Sequence, residues 1–354
     1  MRRYRTLVLG SSFGRLVQAV GFQRHPGFEL TGIAGSDPEK SLKVAEELGV
    51  RGSHDWRQLL RDLEPELVSV ATPVDLHYPM TVAALEAGAH VLCEKPTALN
   101  RFQAADMRDR AAAAGRRGFL NHEFRWFPAR RLAIEQLHAG AIGVPRRGEI
   151  LGRYPIWPRP ESRGMTWLSS AARGGGILGA LGSHHTDCLR TFFGEPSEVL
   201  ASVRVEQPRR GSAIATADDS CTMRYRFDNG AVGVIDLCAA MPYRWERFEI
   251  HGSEATLRWD ETGYRLWRIV AGAEPEELGI PETLALDRHP GEPALVAPFV
   301  RQLDALHVAL EGGATTLATF DDGVAVQSAL DAVRSSSDAR AEVAIAIPAP
   351  GAPA

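Results

Sequence analysis

The sequence predicts an α/β domain built on a doubly wound parallel sheet, followed by an α+β domain built on a large, open and mostly antiparallel sheet. Apolar runs of strand length alternate with helical patterns through residues 1–122, as in successive βα units with right-handed crossovers. Strand-like segments then follow one another without helices between them, which indicates antiparallel or mixed pairing. The 354 residues suffice for two hydrophobic cores. We assign residues 1–122 to the first domain, 123–345 to the second and 346–354 to a flexible tail.

The first βα unit begins at the N-terminus of the chain. Arg5–Leu9 is predicted to be a strand, Gly10–Gly14 a glycine-rich turn and Arg15–Arg24 a helix. A glycine turn between the first strand and a helix is the position of the dinucleotide fingerprint of a Rossmann domain. The N–H groups that begin the helix would face the pyrophosphate.

The glycine spacing departs slightly from that fingerprint. Gly10 holds the first position, Ser12 replaces the second glycine, and Gly14 falls one residue before the usual third glycine. Ser12 still leaves only a short side chain near the phosphates. A simple glycine turn between any strand and helix is the alternative interpretation.

The end of the second strand bears on the choice of cofactor. The strand Phe28–Ala34 is followed by Ser36, and Asp37 is predicted to cap the next helix. An acid here would bind the ribose 2′-hydroxyl, whereas a small residue with a cation nearby would admit a 2′-phosphate. Ser36 with Lys40 therefore favours NADP, with NAD left open.

Two further turns follow strand ends on the same edge of the predicted sheet. They are Thr72–His77, after the strand Leu67–Ala71, and Glu94–Pro96, after the apolar run Val91–Cys93. Ligands bind at the carboxyl edge of parallel sheets, so Lys95 is either an ordinary solvated amine or a donor aimed into a cleft. The other predicted elements of this domain are helices at Lys40–Leu48, Trp56–Leu63, Tyr78–Ala87 and Phe102–Gly115, and a strand at Gly118–Asn121.

Together, the Gly10–Gly14 turn, the Thr72-Pro73 turn with His77, and Glu94-Lys95-Pro96 resemble the Gfo/Idh/MocA family of NAD(P)-dependent oxidoreductases. The resemblance covers nearly the whole chain. It implies that the first domain binds the dinucleotide, that the second covers the substrate, and that Lys95 lies near the nicotinamide and the reacting oxygen. It also implies a cis bond before Pro96 as a candidate feature, and a homo-oligomer, dimeric or tetrameric. The cofactor-binding residues expected on this basis are Gly10, Ser12, Phe13, Gly14, Ser36, Lys40, Thr72, Pro73, His77, Glu94 and Lys95.

The second domain is predicted to begin near Arg147, after a helix at Pro128–His138. Its last helices, Ala294–Glu311 and Asp321–Ser335, either cover the sheet or return to the first domain. The predicted strands are Gly148–Tyr154, Glu198–Glu206, Cys221–Phe227, Ala231–Cys238, Arg247–His251 and Thr256–Trp259.

A second catalytic candidate follows the glycine-rich stretch Gly174–Gly182. His184 falls on the apolar face of the predicted helix, where a histidine is often a core residue with its ring hydrogen-bonded. The stretch also resembles the second motif of the same family, whose histidine faces the nicotinamide and corresponds here to His184. That motif usually has an aspartate four residues earlier, where this chain has Ala180. His185 or Asp187 are candidates to compensate, although Asp187 is also placed to pair with Arg190.

Three residues fall where members of the family often line the substrate cleft: Asn121, His122 and Arg125. His185 is a further candidate for substrate binding. A structural role is the alternative for the three residues near the domain joint. No metal is expected, because His184 and His185 diverge by about 100° on a helix and no further ligands are evident.

These residues suit hydride transfer between a nicotinamide and an alcohol or ketone carbon. The resemblance implies that this carbon belongs to a sugar, cyclitol or related small polar molecule. His184 would act as general acid or base, and Lys95 would polarise the oxygen or share the proton. One alternative is a redox-neutral elimination, epimerisation or glycoside cleavage with tightly bound NAD(H). Another is a non-catalytic dinucleotide-binding regulatory protein, which Ser12 and Ala180 favour.

Composition excludes several other classes of protein. The net charge of −4 argues against nucleic acid as a partner, and the four scattered cysteines suggest neither zinc nor disulfides. No apolar stretch approaches the roughly 20 residues of a membrane helix. The basic N-terminus is better used as a first strand than as a signal peptide. We therefore expect a cytoplasmic protein without a membrane partner.

Overall fold

The computed structural model describes residues 2–351. The chain divides into two compact units, each built from separate segments. Among the described residues, the first unit contains residues 2–126, Leu286–Val324 and residues 348–351, and the second contains Phe127–Ala285 and Ala325–Ile347. Of the two positions left open for the penultimate helix, the structure therefore selects the first unit.

The first unit is organised around a six-stranded sheet. All five strand pairs are parallel, in the order β3-β2-β1-β4-β5-β6. This confirms the predicted doubly wound parallel sheet, and its strand order reverses between β1 and β4, where ligands bind in such folds. The strands are β1 Tyr4–Leu9, β2 Phe28–Ala34, β3 Arg51–Ser53, β4 Leu67–Val70, β5 His90–Cys93 and β6 Gly118–Leu120.

Helices cross between these strands as predicted, with one difference at the first. Gly14–Ala19 is π-helical, and the regular α-helix begins only at Val20. The short strand β3 was not predicted, because Arg51-Gly52-Ser53 has no apolar run to mark it. The helices are α1 Val20–Arg24, α2 Pro38–Leu48, α3 Trp56–Leu63, α4 His77–Glu86 and α5 Arg101–Ala113, with 3-10 turns at Val74–Leu76 and Glu123–Trp126.

The second unit contains a nine-stranded sheet, which is the predicted large and mostly antiparallel one. Only the pair β7 and β12 runs parallel, and the strand order is β16-β15-β14-β13-β7-β12-β11-β8-β17. The helices α6 Pro128–His138 and α7 Ser183–Phe193 belong to this unit. The strands are β7 Pro145–Pro155, β8 Pro196–Arg204, β11 Ser220–Phe227, β12 Val232–Cys238, β13 Ala240–Gly252, β14 Thr256–Trp259, β15 Leu266–Ile269 and β16 Glu276–Leu278, with a separate hairpin of β9 Arg209–Arg210 and β10 Ala213–Ile214.

Alternation along the strands buries one face of this sheet. In β11, Cys221, Met223, Tyr225 and Phe227 are buried while the residues between them are more exposed. These side chains pack in one core with Leu189 and Phe192 from the apolar face of α7. The core therefore holds the helix that carries His184.

The C-terminal segments complete both units. Helix α8, Val296–Leu310, packs in the first unit, where the rings of Phe299 and Phe22 meet edge to face at 5.5 Å. After α9, Phe320–Ala339, the strand β17, Val343–Ala344, pairs with β8. In residues 2–351, no helix combines the length and apolar character needed to cross a membrane.

Part of the predicted flexible tail makes specific contacts in the first unit. The Arg108 guanidinium donates to the carbonyls of Pro348 and Ala349 at 3.0 and 2.9 Å. The amide of Gly351 donates to Asp109 at 2.9 Å. Residues 352–354 lie outside the described part of the chain.

Gly10→Ala is expected to lower the free energy of unfolding by about 3 kcal/mol or more. Gly10 has a φ of +136°, and a Cβ there would collide with the carbonyl oxygen of Ala71. Gly49→Ala is the matched control, because Gly49 has a φ of +67° but open space around it, so its cost should stay near 1 kcal/mol. Urea unfolding followed by circular dichroism measures both. Equal losses would contradict the close packing of the turn.

Candidate active site

The glycine turn after β1 is held tightly between the ends of two neighbouring strands. The amide of Gly10 donates to the carbonyl of Ala34 at 2.8 Å. A Cβ on Gly14 would lie 2.9 Å from Val8 and 3.2 Å from Ala71. Only glycine allows the backbone to pass this closely, so the turn and the following helix are drawn down onto the sheet edge.

This turn fits the phosphates of a dinucleotide. Ser12 is exposed and Phe13 is half-buried, so the tip of the turn faces outward with a short polar side chain. The helical segment that starts at Gly14 directs its first N–H groups, which have no acceptor within the helix, towards the same tip. Its π-helical start matches a feature that often accompanies functional sites.

The edge after β2 has the composition expected for the adenosine ribose. Ser36 and Lys40 are both exposed. The Asp37 carboxylate accepts the backbone N–H of Lys40 at 2.7 Å and so caps helix α2, as predicted. The acid at this position, Asp37, therefore serves as the N-cap of helix α2. Lys40 is a cation near the expected position of the ribose.

His77 connects the two turns that follow β4 and β5. It is buried, and its Nδ1 and Nε2 atoms lie 2.9 Å from the carbonyl oxygens of Pro96 and Thr72, respectively. Burial lowers the pKa of the imidazole, and the charge of Lys95 acts in the same direction. The ring thus braces the Thr72-Pro73 turn against the Lys95-Pro96 turn, whose peptide bond is cis. A direct contact of His77 with the cofactor stays a prediction.

Glu94 is the centre of a buried hydrogen-bond network at this edge. Its Oε1 atom accepts Gln18 Nε2 at 2.8 Å and Asn121 Nδ2 at 2.5 Å, and its Oε2 atom accepts the backbone N–H of Lys95 at 3.3 Å. Ser69 donates to Gln18 at 2.8 Å and fixes the amide. Burial raises the pKa of Glu94, while Lys95 and these donors oppose the shift.

Lys95 is half-buried next to this carboxylate. A lysine supported in this way differs from an ordinary solvated surface amine, which was the alternative interpretation. The charge of Lys95 acts on Glu94, on His77 and on Glu123, a third buried titratable group. The amine therefore belongs to a cluster at the carboxyl edge where the glycine turn also lies.

Glu123 was missed by the sequence analysis. It lies in the 3-10 turn after β6 and is only 1% exposed. Burial raises the pKa of its carboxyl to about 8, Glu94 pushes it in the same direction, and Lys95 opposes the shift. An acid two residues after Asn121 was visible in the sequence, but nothing there indicated that it would be buried.

The other cleft candidates of this segment are Asn121, His122 and Arg125, and two of them make contacts within the first unit. Asn121 supports Glu94, and His122 is buried. Arg125 donates to Asp322 and to the carbonyl of Thr316, both at 3.1 Å. For Asn121 and Arg125 these contacts match the structural alternative, and substrate binding by the three residues stays a prediction.

In the second unit, the helix that carries His184 begins with a π-helical turn at Leu178–Gly182. The Asp218 carboxylate accepts the N–H of Leu178 at 2.7 Å, and a Cβ on Gly176, whose φ is +110°, would collide with that carboxylate. Burial raises the pKa of Asp218 to about 6. Sequence reasoning missed this cap, because it lies 40 residues from its partner along the chain.

His184 and His185 are both buried, with the ring of His185 5.6 Å from that of Phe248. Asp187 is fully buried and lies 3.4 Å from Arg130 and 3.7 Å from Arg190. Pairing with Arg190, one of the two predicted roles, is therefore confirmed. With two arginines beside it, Asp187 is poorly suited to replace the carboxylate missing at Ala180.

Within residues 2–351, one group of side chains has ligand atoms close enough for a metal ion: Glu149, Glu249 and His251, within 4.8 Å of one another. They lie on the sheet of the second unit. Arg247 already pairs with Glu249 at 2.5 Å and lies 4.0 Å from Glu149. A guanidinium thus neutralises these acids where a cation would bind.

Comparisons with known proteins match both parts of the chain. A family model described as "Oxidoreductase family, NAD-binding Rossmann fold" matches residues 4–122, and a model of the GFO/IDH/MocA C-terminal domain matches residues 131–258. The chain is therefore an NAD-binding oxidoreductase of the dehydrogenase and reductase class. It belongs to the Gfo/Idh/MocA family.

Individual relatives agree with this assignment. Levoglucosan dehydrogenase from Pseudarthrobacter phenanthrenivorans is 30% identical over 249 residues, which cover 64% of this chain and 63% of that protein. The 1,5-anhydro-D-fructose reductase from Ensifer adhaerens is 28% identical over 323 residues, or 90% of this chain and 91% of that protein. The crystal structure of an oxidoreductase domain protein from Kribbella flavida is 27% identical and matches with a TM-score of 0.88, covering 98% of this chain and 100% of that one.

Asn121→Ala is expected to lower the free energy of unfolding by about 1–3 kcal/mol at neutral pH, because a buried carboxylate loses a charge-assisted hydrogen bond. This decrease in the free energy of unfolding should become smaller as the pH falls, because Glu94 becomes protonated. Denaturant unfolding at several pH values measures this.

Asn229→Ala is the control for this substitution. Asn229 bonds only to the backbone of Phe193 and Ala231, at 3.2 and 3.0 Å. The decrease in the free energy of unfolding caused by Asn229→Ala should not vary with pH. A loss at Asn121 that is equally independent of pH would contradict the role of its amide in stabilising the Glu94 charge.

Proposed function

We propose that the protein transfers a hydride between a nicotinamide cofactor and an alcohol or ketone carbon of a sugar, cyclitol or related small polar molecule. The observation that carries this proposal is the half-buried Lys95 beside the buried carboxylate of Glu94, on the sheet edge that also carries the Gly10–Gly14 turn. A cationic donor at this edge is placed for an oxygen that gains negative charge during reaction.

The residues of the first unit fit a dinucleotide in three ways. The Gly10–Gly14 turn and the helix start after it would hold the pyrophosphate, and the exposed Ser36 and Lys40 would face the adenosine ribose. The Thr72-Pro73 turn, braced by His77, would border the nicotinamide. When bound, the cofactor accepts or gives the hydride.

Lys95 and His184 would handle the proton of the substrate oxygen. Lys95 donates a hydrogen bond to that oxygen and stabilises the alkoxide as it forms. His184 takes the proton in oxidation and returns it in reduction, since an imidazole titrates near neutral pH. With Ala180 in place of the usual aspartate, no carboxylate four residues before His184 orients its ring, so Lys95 carries a larger part of the stabilisation.

The relatives support a cyclic polyol as the substrate class. One acts on levoglucosan and another on 1,5-anhydro-D-fructose, as their names state. A panel of anhydrosugars, aldoses and cyclitols, assayed by nicotinamide absorbance in both directions, would identify the substrate. Turnover with no net change in absorbance would instead favour a redox-neutral reaction.

Lys95→Ala and His184→Ala are each expected to lower turnover by about 10²–10⁴-fold, since each removes a group that acts on the reacting oxygen. Binding of NADH or NADPH, followed by fluorescence, should change little. Lys43→Ala, an exposed lysine of helix α2, is the control and should retain turnover. Wild-type turnover by both Lys95→Ala and His184→Ala would contradict the proposed roles of these residues in handling the substrate proton.

We further propose that NADP is accepted through Lys40. Lys40→Ala should lower kcat/KM for NADP about tenfold, because an ionic hydrogen bond to the 2′-phosphate is lost, and should leave kcat/KM for NAD unchanged. The same Lys43→Ala variant serves as control, since Lys43 lies one turn further along the helix. If the two cofactors respond equally to Lys40→Ala, the lysine does not read the 2′-phosphate.

A further inference from the structure

Two buried carboxyl groups, Glu94 and Glu123, follow the ends of adjacent strands, and the charge of Lys95 acts on both of them. Cys93 and Leu120 are register partners on the parallel strands β5 and β6. The backbone N–H of Asn121 donates to the carbonyl of Cys93 at 2.8 Å. The two strands therefore end side by side. Glu94 directly follows β5, and Glu123 begins the 3-10 turn after β6. Their exposed fractions are 7% and 1%.

Two carboxylates in one buried region cannot both hold a charge at low cost. The donors around them favour the anion on Glu94, which accepts hydrogen bonds from Gln18, Asn121 and the backbone of Lys95. Burial and the charge of Glu94 both raise the pKa of Glu123. The proton is therefore expected to reside on Glu123.

The other charged groups around this pair are few. Lys95 and His77 come from the turns after β5 and β4, and His122 precedes Glu123. Arg125 on the same 3-10 turn pairs with Asp322 at the start of α9. The buried face of α8, which packs against this turn, carries apolar side chains and the neutral amide of Gln302. Lys95 is the cation whose charge acts on both carboxyl groups.

We propose that Glu94 and Glu123 share one proton beside Lys95, and that Glu123 acts as a positioning residue that keeps a single negative charge next to the lysine amine. This inference rests on the proposed role of Lys95 in turnover. With a single carboxylate beside it, Lys95 can still direct its positive charge to the substrate oxygen. When Glu123 loses its proton, a second negative charge competes with the substrate for that lysine.

The proposal makes stability depend on pH in a defined direction. Burial and the charge of Glu94 raise the pKa of the Glu123 carboxyl to about 8, above the ordinary glutamate value of about 4.3. The folded state therefore binds more protons between these values, so stability is highest at low pH and falls as the pH rises towards 8. Glu123→Gln should remove this part of the fall, and the melting temperature of the variant should gain on wild type as pH increases.

The direct test is an infrared pH titration of the intact protein, which needs neither substrate nor turnover. The carbonyl band of a protonated carboxylic acid should be present in wild type at neutral pH and be lost near pH 8. Glu123→Gln should lack this band. In Glu94→Gln, the carbonyl band of Glu123 should be lost at lower pH, because the negative charge of Glu94 is removed. Glu249→Gln, at a buried glutamate paired with Arg247, is the control and should leave the band unchanged.

Turnover supplies the second readout. The step in kcat near pH 8 that accompanies deprotonation of Glu123 should disappear in Glu123→Gln. A protein that lacks hydride transfer would fail the turnover assay yet keep the infrared band, so the two failures are distinguishable. Absence of the band in wild type, or its persistence in Glu123→Gln, would overturn the proposal. If Glu123→Gln fails to fold, the wild-type titration and Glu94→Gln decide.

Discussion

The buried carboxylate of Glu94 is the constraint on which the carboxyl edge of the first sheet depends. A charge removed from water must be met by donors, and here the donors come from three separate segments. Gln18 lies in the first helical segment, Asn121 follows β6, and the backbone N–H of Lys95 follows β5. Satisfying one carboxylate thus aligns the glycine turn, the lysine and the exit from the sheet. In the function we propose, a lysine held in this position is pre-organised for the substrate oxygen, and the same network then serves both stability and catalysis.

Much of the first unit could be predicted from the sequence because its signals are local. Apolar runs predicted the strands, and the capping of α2 by Asp37 followed from its place before Pro38. The contacts that build the site are not local. The Asn121 amide meets a carboxylate 27 residues away, and Arg125 meets Asp322 across 197 residues. No periodicity encodes such pairs, so Asn121 and Arg125 were assigned to the substrate cleft by resemblance alone.

The second unit shows the same division between local and long-range information. Alternation predicted its central strands, whereas two short strands were missed: β15, which has only four residues, and β16, which has three residues, two of them glutamates. The helix of His184 was predicted from its apolar spacing, but its cap, Asp218, lies beyond the three intervening strands β8, β9 and β10. Asp187 illustrates the limit most clearly. Its pairing with Arg190 was visible at helical spacing, while Arg130, from helix α6, was not.

The central claim is that the edge organised by Glu94 presents Lys95 to the nicotinamide and to the oxygen of a sugar-like substrate. A crystal structure with reduced cofactor and the best substrate from the panel tests it most directly. We expect the pyrophosphate at the Gly10–Gly14 turn and the nicotinamide C4 atom facing the substrate carbon. We also expect the amine of Lys95 and the imidazole of His184 at hydrogen-bond distance from the substrate oxygen. A nicotinamide bound away from Lys95, or a substrate oxygen that neither residue reaches, would contradict it.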